Sequence, residues 1–214
     1  MRRHITIVML ILVALLTFGC ANPAANKPRA TVENPAPESN STKPAGAETL
    51  AISPENSKVE FVAAKVTRSH NGSFKQFAGA IDLVKDSIEA SQVTIDIETA
   101  SVVTDEDGLT KHLQTPDFFD VAKYPKATFS STKIESSTAG GATHKVTGNF
   151  ELHGIKKLIS FPATIQVAPD VVSVNAEFAI DRKDFGLLFP GKADDLIRDG
   201  VVIKLTVKVP RAKP

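Results

Sequence analysis

The sequence is poor in several residue types that often carry chemistry or covalent structure. Its 214 residues include one cysteine, one tyrosine and no tryptophan. Since the only cysteine is Cys20, an intramolecular disulfide is excluded. Neither charge sign dominates: 25 Lys and Arg face 24 Asp and Glu, and no long basic run occurs. This balance argues against nucleic acid as a partner.

Motifs for catalysis and metal binding are also lacking. No Gly-x-Ser-x-Gly motif for a nucleophilic serine occurs. The histidines of the globular part have no close partner at i, i+2 or i, i+4, the spacings typical of metal ligands. They are His70, His112, His144 and His153. No buried ionisable pair is indicated either, so we predict no enzyme, no metal site and no cofactor.

Only the beginning of the chain has a long hydrophobic run. Residues 5–18 are almost continuously apolar and follow a short basic start. These 14 residues are fewer than the roughly 20 that span a membrane, and are typical of an export signal. Residues 16–20 resemble a bacterial lipobox, where the signal is cut before Cys20. We therefore predict a lipoprotein signal peptide at residues 1–20 and a lipid on Cys20.

Two residues depart from the usual lipobox pattern. Thr17 stands where leucine is usual, and Phe18 is bulkier than the usual small residue. An uncleaved anchor, or an ordinary signal peptide with an incidental cysteine, are the alternatives. With Cys20 acylated, the protein is exported and membrane-anchored on the periplasmic side of the bacterial envelope. Because Ala21 rather than Asp follows, we expect the outer membrane in a Gram-negative envelope.

The chain then changes composition twice. Residues 21–50 are rich in Pro, Ala, Asn, Ser and Lys and contain few bulky apolar residues. Such a segment buries too little surface to offset its ordering entropy, so we predict a disordered tether. Residues 51–214 have a globular composition without a further boundary, which predicts one folded domain.

Within that domain, apolar and polar residues alternate with a period of two, which predicts β-strands with one buried face. The predicted strands are residues 58–68, 73–83, 93–97, 127–136, 146–152, 159–167, 172–180 and 201–209. Turns are predicted at residues 70–72, 139–141 and 169–170, and one helix at 105–114. We predict an all-β fold, an eight-stranded antiparallel barrel with one short helix; a sandwich is the alternative.

Four segments of the domain resemble one known family. They are His112-Leu113 with Asp117-Phe118-Phe119-Asp120; Tyr124-Pro125 with Thr128-Phe129-Ser130-Ser131-Thr132; Gly148 with Leu152-His153-Gly154-Ile155-Lys156-Lys157; and Ile180-Asp181-Arg182-Lys183-Asp184-Phe185-Gly186. In this order they resemble the YceI-like proteins, exported lipocalin-like barrels associated with binding polyisoprenoid lipids. The resemblance covers residues 53–209 and leaves the signal and the tether outside.

The resemblance implies a non-catalytic barrel with a long apolar tunnel, no metal or redox cofactor, and a long-chain isoprenoid or similar amphiphilic lipid as partner. By alternation, Phe150, Phe178, Ile203 and Leu205 face inward, toward either a tunnel or a filled core. One of Phe118 and Phe119 is expected to face the cavity. The complete set of cavity candidates is Phe118, Phe119, Phe129, Phe150, Phe178, Phe185, Ile203 and Leu205.

Two further residues have alternative interpretations. Arg182 is a candidate for binding an anionic head group, since guanidinium matches phosphate geometry. A structural turn in which Arg182 pairs with Asp181, Asp184 or Asp120 is the favoured alternative. His153, before Gly154, is expected to be a turn residue.

For the whole protein, a structural or interaction lipoprotein with a side-chain-filled barrel is the alternative function. The sequence leaves open whether the protein forms a homodimer.

Overall fold

The structure is a computed structural model that describes residues 22–37, 43–84 and 87–211. The predicted signal peptide and Cys20 lie outside these residues. In the described part of the chain, no helix is long and apolar enough to cross a membrane.

The described residues form one α-helix, α1 (Asp107–Leu113), four short 3-10 turns and fourteen strand segments. Alternating apolar residues bury one face of each long strand, as predicted. The strands are β1 (Thr31–Glu33), β2 (Glu48–Ile52), β3 (Ser57–Ala64), β4 (Ser69–Phe74), β5 (Phe77–Leu83), β6 (Gln92–Glu98), β7 (Val102–Thr104), β8 (Lys126–Ser136), β9 (His144–Leu152), β10 (Ile155–Val167), β11 (Val171–Asp181), β12 (Gly191–Lys192), β13 (Asp195–Leu196) and β14 (Gly200–Pro210).

The main sheet curls into a closed barrel, because three of its strands are bent. Its order is β2-β5-β6-β8-β9-β10-β11-β14-β3-β4-β7. Only Lys75 and Gln76 separate β4 from β5, and only Thr99–Ser101 separates β6 from β7. Backbone hydrogen bonds bridge the bend, from Lys75 N to Ser101 O (3.1 Å) and from Glu98 N to Gln76 O (3.0 Å). The third bent strand is β2 with β3, which only residues 53–56 separate; it pairs with β5 and β4 along its length. Counting each of the three bent strands once gives the predicted eight-stranded antiparallel barrel, so the fold prediction is confirmed.

Two glycines let phenylalanine rings lie flat against the inside of the wall. A Cβ on Gly72 would stand 2.1 Å from the ring of Phe61, and one on Gly148 would stand 2.5 Å from the ring of Phe129. The turn predicted at residues 70–72 is therefore wrong. Gly72 is inside β4, where it makes room for a ring and does not reverse the chain.

The other turn predictions hold. Residues 139–141 form a short 3-10 turn, and the chain reverses at residues 169–170 between β10 and β11. His153 and Gly154 form the β9–β10 turn, both with positive φ (53° and 71°). The His153 ring also stacks edge-on against Tyr124, with centroids 4.5 Å apart.

The N-terminal segment differs from its prediction. Residues 22–37, which we call the N-terminal strap, are not a disordered tether but follow the barrel wall. Its strand β1 pairs antiparallel with β10, and Ala30 N donates to Ala179 O of β11 (2.8 Å). At its far end, Asn149 receives a hydrogen bond from Ala36 N (2.9 Å) and donates one to Ala36 O (3.0 Å). The ordering comes from backbone hydrogen bonds to open strand edges, which composition does not reveal.

Candidate functional site: an apolar cavity inside the barrel

The barrel encloses a cavity of about 220 Å³. It extends from Leu113 and Phe118 at the α1 end to Ile165 and Val207 at the opposite end. Its wall consists largely of Ile, Val, Leu and Phe side chains. Among the described residues that line it, no polar atom is exposed to the space. Such a surface favours an apolar chain over a polar substrate.

Most of the predicted cavity residues lie along this wall. Those that line it are Phe118, Phe119, Phe129, Phe150, Phe178, Ile203 and Leu205. The strands bring residues from distant parts of the sequence together, since Phe129 lies opposite Phe150 in the β8–β9 register and Phe178 lies opposite Ile203. Whether a lipid contacts these side chains stays a prediction.

Phe118 and Phe119 both line the cavity, whereas we expected only one of them to do so. The alternation rule fails here because both residues lie in turns after α1, not in a strand. The Phe118 ring packs edge-on against His112 (4.9 Å between centroids), while Phe119 lies against Phe74 of β4 (5.7 Å). The two rings therefore close the end of the cavity that lies next to α1.

Phe185 does not line the cavity. It lies in the 3-10 turn Arg182–Phe185 that follows β11, and its side chain is completely buried behind Phe150. The two rings meet edge-on with centroids 5.1 Å apart. Phe185 therefore supports a cavity residue and is not part of the lining, because the chain leaves the strand path after Asp181.

Three further aromatic residues of the wall were not singled out from the sequence: Phe61, Phe74 and Phe161. Phe161 stacks on Phe178 with centroids 4.2 Å apart and planes within 10°. The signal that identifies Phe161 is its place in the alternation Ile159, Phe161, Ala163 along a predicted strand, which puts it on the buried face.

Arg182 is 4% exposed and its guanidinium is occupied by the protein itself. It donates to the carbonyls of Leu187, Ile197 (3.5 Å) and Arg198 (3.3 Å), and pairs with Asp199 Oδ1 at 3.1 Å. The partner is thus Asp199, not Asp181, Asp184 or Asp120 as considered from the sequence. These bonds hold the 187–199 loop against the end of β11, which is a structural role.

The carboxylate of Asp199 joins this buried arginine to the surface. A hydrogen bond from Lys183 Nζ (2.9 Å), with the charges of Lys183 and Arg182, holds the pKa of Asp199 below its ordinary value. The carboxylate therefore stays ionised at neutral pH. Within residues 22–37, 43–84 and 87–211, no group of three or more His, Cys, Asp or Glu side chains is placed to hold a metal ion.

The volume limits what fits in the present arrangement of side chains. Pockets for drug-sized ligands measure about 300–1,000 Å³, whereas an apolar cavity of about 150 Å³ accepts benzene. At about 220 Å³ the cavity holds part of a long chain. A longer chain needs rings such as Phe161 and Phe178 to rotate away, or it must extend beyond the barrel.

Comparisons with known proteins agree with this architecture. The UPF0312 protein PputW619_0484 of Pseudomonas putida (strain W619) is 35% identical over 127 residues, which is 56% of this chain and 65% of that protein. The chain thus matches just under two thirds of the length of this relative.

Among solved structures, Burkholderia cenocepacia BcnA has a TM-score of 0.63 and 24% sequence identity, covering 71% of this chain and 95% of that one. A polyisoprenoid binding domain from Saccharophagus degradans, implicated in plant cell wall breakdown, has a TM-score of 0.60 and 18% identity, covering 78% of this chain and 99% of that one. Both likenesses show the fold. The profile of the YceI-like domain matches residues 50–209. This match covers well over half of the chain, which therefore belongs to the YceI-like domain family.

Proposed function

We propose that the protein binds, sequesters or transports a long-chain isoprenoid or similar amphiphilic lipid, with the apolar tail inside the barrel. The process is equilibrium burial of the tail and involves no chemical step, so the protein acts as a carrier and not as an enzyme.

The observation that carries the proposal is the cavity inside the barrel, whose lining exposes no polar atom among the described residues. Burial of apolar surface is the only interaction that such a wall offers in quantity. The polyisoprenoid-binding domain of Saccharophagus degradans has the same fold, which favours an isoprenoid among the possible tails. A drug-sized ligand gains about −0.3 kcal/mol of binding free energy per non-hydrogen atom. Tight retention of a long apolar tail therefore needs no strong polar contact.

Mass spectrometry of organic extracts from the purified protein tests this function. We expect an amphiphilic lipid that copurifies with the protein and is released by organic solvent but not by salt. Titration with cis-parinaric acid, a polyene fatty acid whose fluorescence rises in apolar surroundings, should give saturable binding. Consistent absence of lipid together with no saturable probe binding would overturn the proposal.

We also propose that Cys20 carries a lipid that anchors the protein to the envelope membrane on its periplasmic side. The motif at residues 16–20 supports this localisation. The variant Cys20→Ser should move from the membrane fraction to the soluble periplasmic fraction, and should lose the mass of the acyl groups. An unchanged mass and an unchanged fractionation would contradict the anchor.

The second candidate is a structural or interaction lipoprotein. The modest cavity volume of about 220 Å³ favours it, because a barrel that is nearly filled needs no ligand to be stable. The two candidates differ in whether the cavity expands for a lipid, and the binding titration above distinguishes them.

A further inference from the structure

The barrel wall is interrupted between β10 and β11. These two strands pair only over Thr164–Val167 and Val172–Asn175, although both continue well beyond these residues. If the same register continued, Ser160 would lie opposite Ala179. Instead, Ser160 pairs with Thr31 of the N-terminal strap, and Ala179 hydrogen-bonds to Pro28 and Ala30 of the strap.

A proline explains why the ladder stops where it does. Thr143 N donates to Ala163 O (3.1 Å), so the polar groups of Ala163 point toward β9. Backbone groups of neighbouring residues in a strand point to opposite sides, so the amide position of Pro162 faces β11. Proline has no N–H to donate there, and it is found in sheets mainly at edges and interruptions. Pro162 therefore separates the paired part of the two strands from the unpaired part.

The strap occupies the interruption as a strand of the wall. Ala179 N donates to Pro28 O and Ala30 N donates to Ala179 O, both at 2.8 Å, while β1 pairs with β10 on the other side. Ala30 and Val32 pack against the interior core, and Thr31 between them is exposed. This is the alternation of a barrel strand, made by a short segment that is far from its neighbours in the sequence.

The interruption has an aromatic contact on its inner face and a groove on its outer face. On the inside, Phe161 and Phe178 stack across it with centroids 4.2 Å apart. On the outside lies a groove of about 510 Å³, lined by strap residues such as Lys27 and by residues of both strands. Leu205 of the adjoining strand β14 lines both this groove and the inner cavity.

We propose that this interruption is a lateral entrance to the cavity. It is closed by residues 22–33 of the N-terminal strap, which act as a displaceable strand, and by the Phe161–Phe178 stack on the inner side. The inference rests on the proposed function and adds the route by which the apolar tail of an amphiphile enters. When the strap leaves, β10 and β11 present open edges with an apolar interior between them. The tail passes sideways through the wall, and the polar head group stays outside.

The position of the proposed anchor agrees with this route. Only Ala21 separates Cys20 from the first described residue of the strap, Asn22. Ala24 is buried against Ala179 and Val202 on the outer face of the barrel, beside the interruption. An acylated Cys20 therefore places the membrane next to the entrance, so a membrane lipid reaches it without crossing water.

A reversible cross-link tests the route. Thr31→Cys with Ser160→Cys joins two directly opposed residues, whose spacing suits a disulfide. The full chain also carries Cys20→Ser, which removes the competing thiol. Stopped-flow fluorescence measures the rate of uptake of cis-parinaric acid by the oxidised and the reduced form of the same protein. We expect uptake to be at least about tenfold slower when the strap is locked, with recovery on reduction, because local opening must precede entrance.

A matched control locks the wall where it is continuous. Ser173→Cys with Lys208→Cys joins opposed residues of β11 and β14, and its oxidation should leave the uptake rate unchanged. Equal rates for the locked and reduced strap would overturn the lateral entrance and leave the proposed function intact. Binding of the probe by neither form would overturn the proposed function and the entrance together.

Discussion

Phe161 and Phe178 stack face to face, 4.2 Å apart, across the one place where β10 and β11 do not hydrogen-bond to each other. The pair lies inside a wall whose backbone pairing is completed by the N-terminal strap. An aromatic contact thus holds together two strands that the ladder does not join. Both rings line the cavity, so the same contact limits the space for a ligand and closes the proposed entrance.

Phe178→Trp should reduce lipid binding by filling the cavity. Overpacking costs about 1–3 kcal/mol of stability, and we expect the affinity for cis-parinaric acid to fall by about tenfold, which corresponds to about 1.4 kcal/mol. Thermal unfolding and probe titration measure the two effects. Val172→Leu is the matched control, because Val172 is 1% exposed and outside the cavity lining. A stability loss with unchanged probe affinity in Phe178→Trp would show that the probe binds away from Phe178.

Arg182→Lys should destabilise the fold without altering head-group preference. A lysine cannot replace the four donors that reach Leu187, Ile197, Arg198 and Asp199. Leaving buried carbonyls unsatisfied costs about 1–3 kcal/mol, measurable by urea unfolding. Probes with anionic and neutral head groups should lose affinity equally. A selective loss for the anionic probe would restore Arg182 as a head-group residue. Lys183→Ala, at the exposed side of Asp199, is the control and should change stability by about 1 kcal/mol at most.

The strap should open faster when its ion pairs are weakened. Lys27 Nζ lies 2.8 Å from Glu177 Oε2, with both side chains partly exposed. Such a pair is worth about 0.2–1 kcal/mol, so Lys27→Ala should accelerate probe uptake by between about 1.4-fold and fivefold. High salt should have the same effect on the natural chain and little on the variant. Lys145→Ala is the control, because it removes an ion pair with Glu135 that joins β8 to β9 and does not involve the strap; it should leave the rate unchanged. If the uptake rate depended on salt in the same way in both proteins, the Lys27–Glu177 pair would not hold the strap closed.

Acid should loosen the same contact. The hydrogen bond from Lys27, with the charges of Lys27 and Lys204, holds the pKa of Glu177 below its ordinary value. The bound strap therefore favours the ionised carboxylate. The stabilisation of the bound strap by the Lys27–Glu177 contact is fully present above the ordinary glutamate pKa of about 4.3. It is lost as the pH falls through the lowered pKa of Glu177. Uptake by the natural chain should accelerate below about pH 4, and Glu177→Gln should remove this acceleration, as measured by stopped flow.

Gly72→Ala should both destabilise the barrel and reduce binding. The new Cβ would stand 2.1 Å from the ring of Phe61, a cavity residue, and would push that ring inward. We expect a loss of about 1–3 kcal/mol from this overpacking, together with a lower probe affinity. Gly108→Ala in α1 is the matched control, since its nearest neighbour is 3.7 Å away, and it should stabilise the helix by up to about 1 kcal/mol. Unchanged binding in Gly72→Ala would show that Phe61 moves outward.

The sequence predicted those parts of the molecule whose structure follows from local patterns. Alternation located the long strands, because a period of two indicates a strand with one buried face. The helix predicted at residues 105–114 corresponds to α1. Alternation also selected Phe178 and Ile203 as inward residues. Alternation failed for Phe118 and Phe119, which lie in turns. The turn prediction failed at Gly72, whose role depends on the ring of Phe61 across the β3–β4 pair.

By itself, the sequence determined the fold class, the inward faces of the strands and the family, because these depend on local periodicity and on motifs within the chain. The tertiary structure decided that Arg182 pairs with Asp199, that Phe185 lies behind the cavity, and that the N-terminal strap completes the wall between β10 and β11. Each of these depends on contacts between residues far apart in the chain. The strap is the clearest case, because a polar, proline-rich segment gains order only where open strand edges supply the hydrogen bonds that it cannot make alone.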